Sequence, residues 1–95
     1  MIQRNQLSNL ELSRALREVD HKLDFRLREK GSGTYAGPHE CYGIIAEEFN
    51  KELLEALHEN DPKKFRKELL DIAVACVIGM ASMLPTDTPS EGTPS

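Results

Sequence analysis

A long apolar segment near the C-terminal end of the chain, Leu69 to Ala81, constrains the fold more than any other feature. Apart from Asp71, nearly every position in it is apolar or small. A helix that is apolar all round must be covered on all sides. The 95 residues make one domain of modest size, with too few other helices to provide that cover. We therefore predict an all-α helical bundle of three main helices per chain, with its core completed by homo-oligomerisation as a homodimer or homotetramer.

The first helix is predicted from about Asn9 to Lys30. Ser8 followed by Glu11 has the spacing of a capping box, in which each side chain accepts a hydrogen bond from the other residue's backbone N–H. Gly31 and Gly33 end the helical pattern. Between these signals, apolar residues recur on one helical stripe, at Leu12, Leu16, Val19, Leu23 and Leu27.

Cations and a glycine-rich loop at the end of this helix are candidates for substrate binding. At about 100° per residue, Arg26 and Lys30 fall beside or within the apolar stripe. These cations either interact favourably with the helix dipole or hold phosphate oxygens. For phosphate binding we favour Arg26 and Lys30 over Lys22. The loop from Gly31 to Pro38 lacks the Gly-Lys-Ser/Thr of a P-loop. It is either a turn or a mobile cover in which Tyr35 stacks on a base.

Two further helices are predicted before a polar tail. Pro38 suits the first turn of the second helix, and Asp61-Pro62 caps and begins the third, which runs from Lys63 to about Leu84. The remainder, 85–95, is rich in Pro, Ser and Thr and is predicted to be disordered. The sequence thus predicts a single all-α domain over 1–84, followed by this tail.

The net charge and the apolar runs exclude some classes of partner. A formal charge of −4 argues against a nucleic-acid surface, which is usually basic. The longest apolar run, Ile72 to Ala81, is about half of the roughly 20 residues that span a bilayer. The N-terminal residues lack the apolar core of a signal peptide. We expect no nucleic-acid or membrane partner and a cytoplasmic location.

Five carboxylates follow the helical spacing of the apolar residues. Glu48, Glu52 and Glu55 fall within about 60° of each other on the second helix, and Glu68 and Asp71 do so on the third. Two antiparallel helices joined by a short turn bring these two lines together. Hard cations such as Mg²⁺ or Mn²⁺ prefer carboxylate oxygens. The alternative is that the acids are solvated on amphipathic helices.

Three segments carry a family resemblance: His39 to Glu48, Glu52-Leu-Leu-Glu55-Ala-Leu, and Lys67-Glu68-Leu-Leu-Asp71-Ile-Ala. They resemble the MazG-like all-α nucleoside triphosphate pyrophosphohydrolases, in the short phage and bacterial type. The signature of that family is Glu-Glu-x-x-Glu followed downstream by Glu-x-x-Asp. The second half fits, whereas the first half fits no single register, because Lys51 stands where an acid is expected after Glu47-Glu48. One inserted residue, accommodated as a π-bulge, would reconcile the registers.

The resemblance implies hydrolysis of an NTP or dNTP to the monophosphate and pyrophosphate, with Mg²⁺ or alternatively Mn²⁺. The implied metal ligands are Glu52, Glu68 and Asp71 first, then Glu48, then Glu55. Glu48 or Glu55 is then the candidate acceptor for the proton of the attacking water. The alternative function is a catalytically inactive helical interaction module of the same fold.

Overall fold

The computed structural model describes residues 4–84, and this part of the chain is helical without strands. It contains α1 (Asn9–Lys30), α2 (Pro38–Glu47), a π-helical segment (Glu48–Leu53), α3 (Leu54–His58) and α4 (Pro62–Ser82). The backbone stays in the right-handed helical region at both junctions of the π-helical segment. We therefore call residues 38–58 the interrupted helix. The all-α prediction is confirmed, whereas the predicted tail lies outside the described residues.

The predicted helix ends are held by local hydrogen bonds. At the start of α1, the Ser8 N–H donates to Glu11 Oε1 at 2.9 Å and the Glu11 N–H donates to Ser8 Oγ at 3.1 Å. Gly31 follows α1 with a φ of 87°, in the region that favours glycine. Asp61 Oδ1 accepts from the Lys64 N–H at 3.1 Å and so caps α4. These local signals explain why both helices begin where the sequence predicts.

Helix α4 packs against α1 and, separately, against the interrupted helix. The buried residues Tyr35, Cys41, Val74 and Ile78 form the core cluster, and side chains from α1 and α2 pack around it. Gly79 permits the close approach of α2, since a Cβ there would lie 2.5 Å from Cys41 Sγ. On the other side, the Arg66 guanidinium makes two hydrogen bonds to the Glu18 carboxylate, at 2.7 and 2.8 Å, and joins α4 to α1.

The single chain leaves much apolar surface uncovered. Helix α1 has no buried residue. On it, Leu10 is 63% exposed and Leu16 is 70% exposed, and on α4 Met80 is 72% exposed. Within residues 4–84, no helix combines the length and apolar character needed to cross a bilayer. Apolar side chains of both α1 and α4 are therefore exposed in the described part of the chain.

Candidate metal centre

Three carboxylates from two helices converge in the structure. Glu48 begins the π-helical segment, whereas Glu68 and Asp71 lie one turn apart on α4. One carboxylate oxygen from each lies within 4.8 Å of the other two. The three-residue spacing places Glu68 and Asp71 on one face of α4, and that face is directed at Glu48. We call these three residues the carboxylate cluster.

Glu68 is the most enclosed member of the cluster, with only 6% of its surface exposed. Within residues 4–84, no group donates a hydrogen bond to its carboxylate or forms an ion pair with it. A buried carboxylate is costly unless it is paired or bound to a metal. The carboxylate of Glu68 therefore lacks, among the described residues, the partner that a buried charge requires.

Burial and neighbouring carboxylates both act on the side chain of Glu48. The pKa of this side chain is raised above its ordinary value of 4.5, first because burial disfavours the charged form. The second cause is the charge of nearby carboxylates, namely Asp71, Glu68, Glu52 and Glu47. A cation held there would offset the neighbouring charges and so favour the charged form of Glu48.

The π-helical segment decides which acids of the second helix reach the cluster. Its i→i+5 hydrogen bonds accommodate an extra residue, so a constant rotation of about 100° no longer describes the positions that follow. Glu52 is half-buried beside the cluster, outside the three close oxygens. Glu55 is exposed, and its charge acts on Lys64 near the start of α4. The structure therefore does not bring Glu55 to the cluster, although the helical phase predicts a shared face.

A π-helical segment lies where the sequence predicts a π-bulge. The π-helical segment covers Glu48 to Leu53 and so includes Lys51, where the acidic motif departs from regular spacing. Of the candidate ligands on the interrupted helix, Glu48 belongs to the close cluster and Glu52 lies beside it, which reverses the predicted order of these two.

Two clefts share Glu48 and Asp71 in their walls. The acidic cleft, of about 390 Å³, is lined by five carboxylates, one lysine and one isoleucine: Glu47, Glu48, Glu52, Glu68, Asp71, Lys67 and Ile44. The basic cleft, of about 400 Å³, also includes Glu48 and Asp71, but its other wall is α1. From α1 it receives three cations, Lys22, Arg26 and Lys30, together with Glu29. Anionic and cationic groups therefore face each other across one opening.

The predicted substrate-binding cations lie in the basic cleft. Arg26 and Lys30 both line it, as the helical phase suggests. Lys22, which the sequence ranks below Arg26 and Lys30, also lines this cleft. Its Nζ lies 3.7 Å from Asp71 Oδ1. The signal that identifies it is its four-residue spacing from Arg26, which places both cations on one face of α1. Glu29 and Lys67 are further lining residues that the sequence did not single out.

Tyr35 also borders the basic cleft, and it does so as a buried residue. Only 8% of its surface is exposed, and it packs with Val74 and Ile78 in the core cluster. Its backbone N–H donates to Ser82 Oγ at 2.9 Å, and that hydroxyl donates to the Ile78 carbonyl at 2.7 Å. Tyr35 is therefore a fixed part of the cleft wall.

The carboxylate cluster has the donor chemistry of a hard-cation site. In octahedral coordination at about 2.0–2.1 Å, neighbouring oxygens on one magnesium ion lie about 2.9 Å apart and opposite oxygens about 4.2 Å apart. The three oxygens lie within 4.8 Å of each other, so each pair would have to close by at most about 2 Å to hold one ion.

No family model matches the chain, and comparison with curated proteins and with solved structures gave no match. The functional assignment therefore depends on the carboxylate cluster and the two clefts.

Proposed function

We propose that the protein is a cytoplasmic Mg²⁺-dependent nucleoside triphosphate pyrophosphohydrolase, which converts an NTP or dNTP to the monophosphate and pyrophosphate. The observation that carries the proposal is the buried carboxylate of Glu68, without a partner among residues 4–84, beside a cleft lined by cations. A metal ion complements the carboxylates, and a polyphosphate complements both the metal and the cations. The resemblance of Glu68-Leu-Leu-Asp71 to the MazG-like motif supports the same reaction.

The metal ligands in this proposal are Glu48, Glu68 and Asp71. Bound Mg²⁺ neutralises phosphate charge and lowers the pKa of a coordinated water. Glu52 lines the acidic cleft outside the close cluster, so its carboxylate is free to accept the proton of the attacking water. We therefore assign the role of general base to Glu52. Glu48 is engaged as a ligand, and Glu55 is outside the cleft.

The basic cleft provides the site for the phosphates. Arg26 and Lys30 hold phosphate oxygens, with guanidinium and ammonium groups that suit this role. The volume of about 400 Å³ lies within the range of about 300–1,000 Å³ that is usual for small-molecule pockets. The Tyr35 ring fixes one wall of the cleft and limits where the nucleoside can lie.

The reaction is tested by incubating the protein with a panel of NTPs and dNTPs in Mg²⁺ and assaying the products. Pyrophosphate and monophosphate are expected. Release of orthophosphate would indicate a different cleavage position. No turnover with any nucleotide, in Mg²⁺ or Mn²⁺, would favour a catalytically inactive helical interaction module, for which the exposed apolar side chains of α1 are the supporting observation.

Variants of the cluster test the site assignment. Glu68→Gln and Asp71→Asn remove one ligand charge each and are expected to abolish turnover while the helical circular dichroism stays unchanged. Glu55→Gln is the matched control, because Glu55 is an exposed glutamate on the same helix as Glu48. It is expected to retain activity. Full activity in both Glu68→Gln and Asp71→Asn would refute the proposed metal centre.

We also propose that the protein is a homodimer or homotetramer. The proposal rests on the uncovered apolar side chains of α1 and α4, among which Leu16 and Met80 are at least 70% exposed. A second copy would bury this surface, as obligate homo-oligomers do. Sedimentation equilibrium at micromolar concentration is expected to show an oligomer, and a monomer would contradict the proposal.

A further inference from the structure

Lys22 is the cation nearest the carboxylate cluster, and the proposed function leaves it without a role. Its Nζ lies 3.7 Å from Asp71 Oδ1, and the side chains are 36% and 23% exposed. Charge-assisted hydrogen bonds are about 2.7–2.9 Å long. The contact is therefore an ion pair without a hydrogen bond, and the ammonium group can leave Asp71 readily.

The position of Lys22 connects the two clefts. Lys22, Arg26 and Lys30 repeat every four residues on α1 and extend along about 12 Å of helix. Lys22 stands at the end of this row where Asp71 lies, and Asp71 belongs to both clefts. One ammonium group is thus within reach of a metal ligand and in line with the proposed phosphate contacts.

We propose that Lys22 is an internal counter-ion that neutralises Asp71 in the metal-free protein and turns to the phosphates when a divalent metal takes its place. This inference rests on the proposed metal centre. Lys22 competes with the metal, because its charge and the metal charge favour the same carboxylate. Once released, it adds a third cation to the row formed by Arg26 and Lys30. Metal binding thereby prepares the phosphate site.

The two roles of Lys22 predict effects of opposite sign in one variant. Lys22→Met keeps most of the side-chain volume and removes the charge. The affinity for Mn²⁺ alone is expected to rise about two- to fivefold, which is the range for loss of a partly exposed ion pair. The affinity for inorganic triphosphate at saturating Mn²⁺ is expected to fall at least about tenfold, because a charged hydrogen-bond donor is lost. A purely structural residue would not move these two constants in opposite directions.

Isothermal titration calorimetry measures both constants on the full chain. Arg28→Met is the matched control, since Arg28 lies on the same helix, pairs with Asp24 and is 77% exposed. It changes the net charge equally and is expected to leave both constants unchanged. Lys22→Arg retains the charge and is expected to keep the Mn²⁺ affinity of the wild type. This variant distinguishes an effect of the lost charge from an effect of misfolding.

The outcomes distinguish this inference from the proposed function. A wild-type chain that binds Mn²⁺ and a Lys22→Met variant with unchanged or lower Mn²⁺ affinity would overturn the counter-ion role alone. A triphosphate affinity that Lys22→Met does not lower would overturn the phosphate role. A wild-type chain that binds no Mn²⁺ would overturn the metal centre and this inference with it.

Discussion

The most direct test of the buried Glu68 carboxylate is the thermal stability of the metal-free protein. Replacing Glu68 by Gln keeps the shape of the side chain and removes its charge. In an ordinary fold, loss of a buried charged group that has partners is destabilising. Here the carboxylate has no partner among residues 4–84 and faces two other carboxylates. We therefore expect Glu68→Gln to stabilise the metal-free protein.

The distance within the cluster gives the size of this effect. Two unit charges separated by 4.8 Å repel by about 1 kcal/mol in water and by about 3.5 kcal/mol at an effective dielectric constant of about 20. Glu68 has two such neighbours, but the Lys22 ammonium group beside Asp71 offsets part of the repulsion. The expected gain is about 1–2 kcal/mol. For a domain of this size, each kcal/mol raises Tm by about 4–8 °C.

Adding metal should reverse the order of thermal stability of the wild type and the Glu68→Gln variant. At a free Mn²⁺ concentration about 100 times the Kd, binding stabilises the folded wild type by about 2.7 kcal/mol. The variant lacks a ligand and should gain much less. Thermal melts by circular dichroism, at one protein concentration and with EDTA or Mn²⁺, measure both effects, and Glu55→Gln serves as the control for loss of one negative charge.

Two results would refute this reasoning. If Glu68→Gln melts below the wild type in EDTA, the carboxylate is stabilised in the metal-free fold and does not require a cation. If Mn²⁺ raises the Tm of the variant as much as that of the wild type, the metal binds elsewhere.

Two other predictions follow from the same structure. Because the folded state raises the pKa of Glu48 above 4.5, the stability that Glu48 contributes is fully present below pH 4.5 and is lost as the pH rises through the raised pKa. Urea unfolding in EDTA at a series of pH values should show this decline. A Glu48→Gln variant with the same decline would contradict the prediction. Gly79→Ala should destabilise the fold by about 1–3 kcal/mol, since the new Cβ meets Cys41 Sγ at 2.5 Å. Adding Cys41→Ala should restore most of the loss, because the next atom is then 3.8 Å away, and failure of this rescue in urea unfolding would show that the contact is not the cause.

Local signals explain which parts of the fold the sequence predicts well. The capping box of Ser8 and Glu11 and the Asp61-Pro62 start depend on residues a few positions apart, so they can be read without tertiary structure. The pairing of Glu68 with Asp71 on one face has the same basis, because α4 is a regular helix.

The side-chain directions that the sequence predicts poorly are those that depend on packing between helices. The π-helical segment shifts the phase of every residue after it, so Glu55 points to solvent instead of the cluster. The ion pair of Lys22 with Asp71 likewise requires the relative rotation of α1 and α4, although each helix is predicted by itself.

The two sides of the candidate site are anchored to different degrees. The carboxylates Glu68 and Asp71 belong to α4, which contains five of the buried residues: Glu68, Val74, Ala75, Ile78 and Gly79. The cations belong to α1, which has no buried residue and contacts the rest of the described fold through α4. Segments with few buried contacts open at lower free energy than the core. Amide hydrogens of α1 should therefore exchange faster than those of α4 in the isolated chain, and the cationic wall can detach and return while the carboxylate wall stays folded.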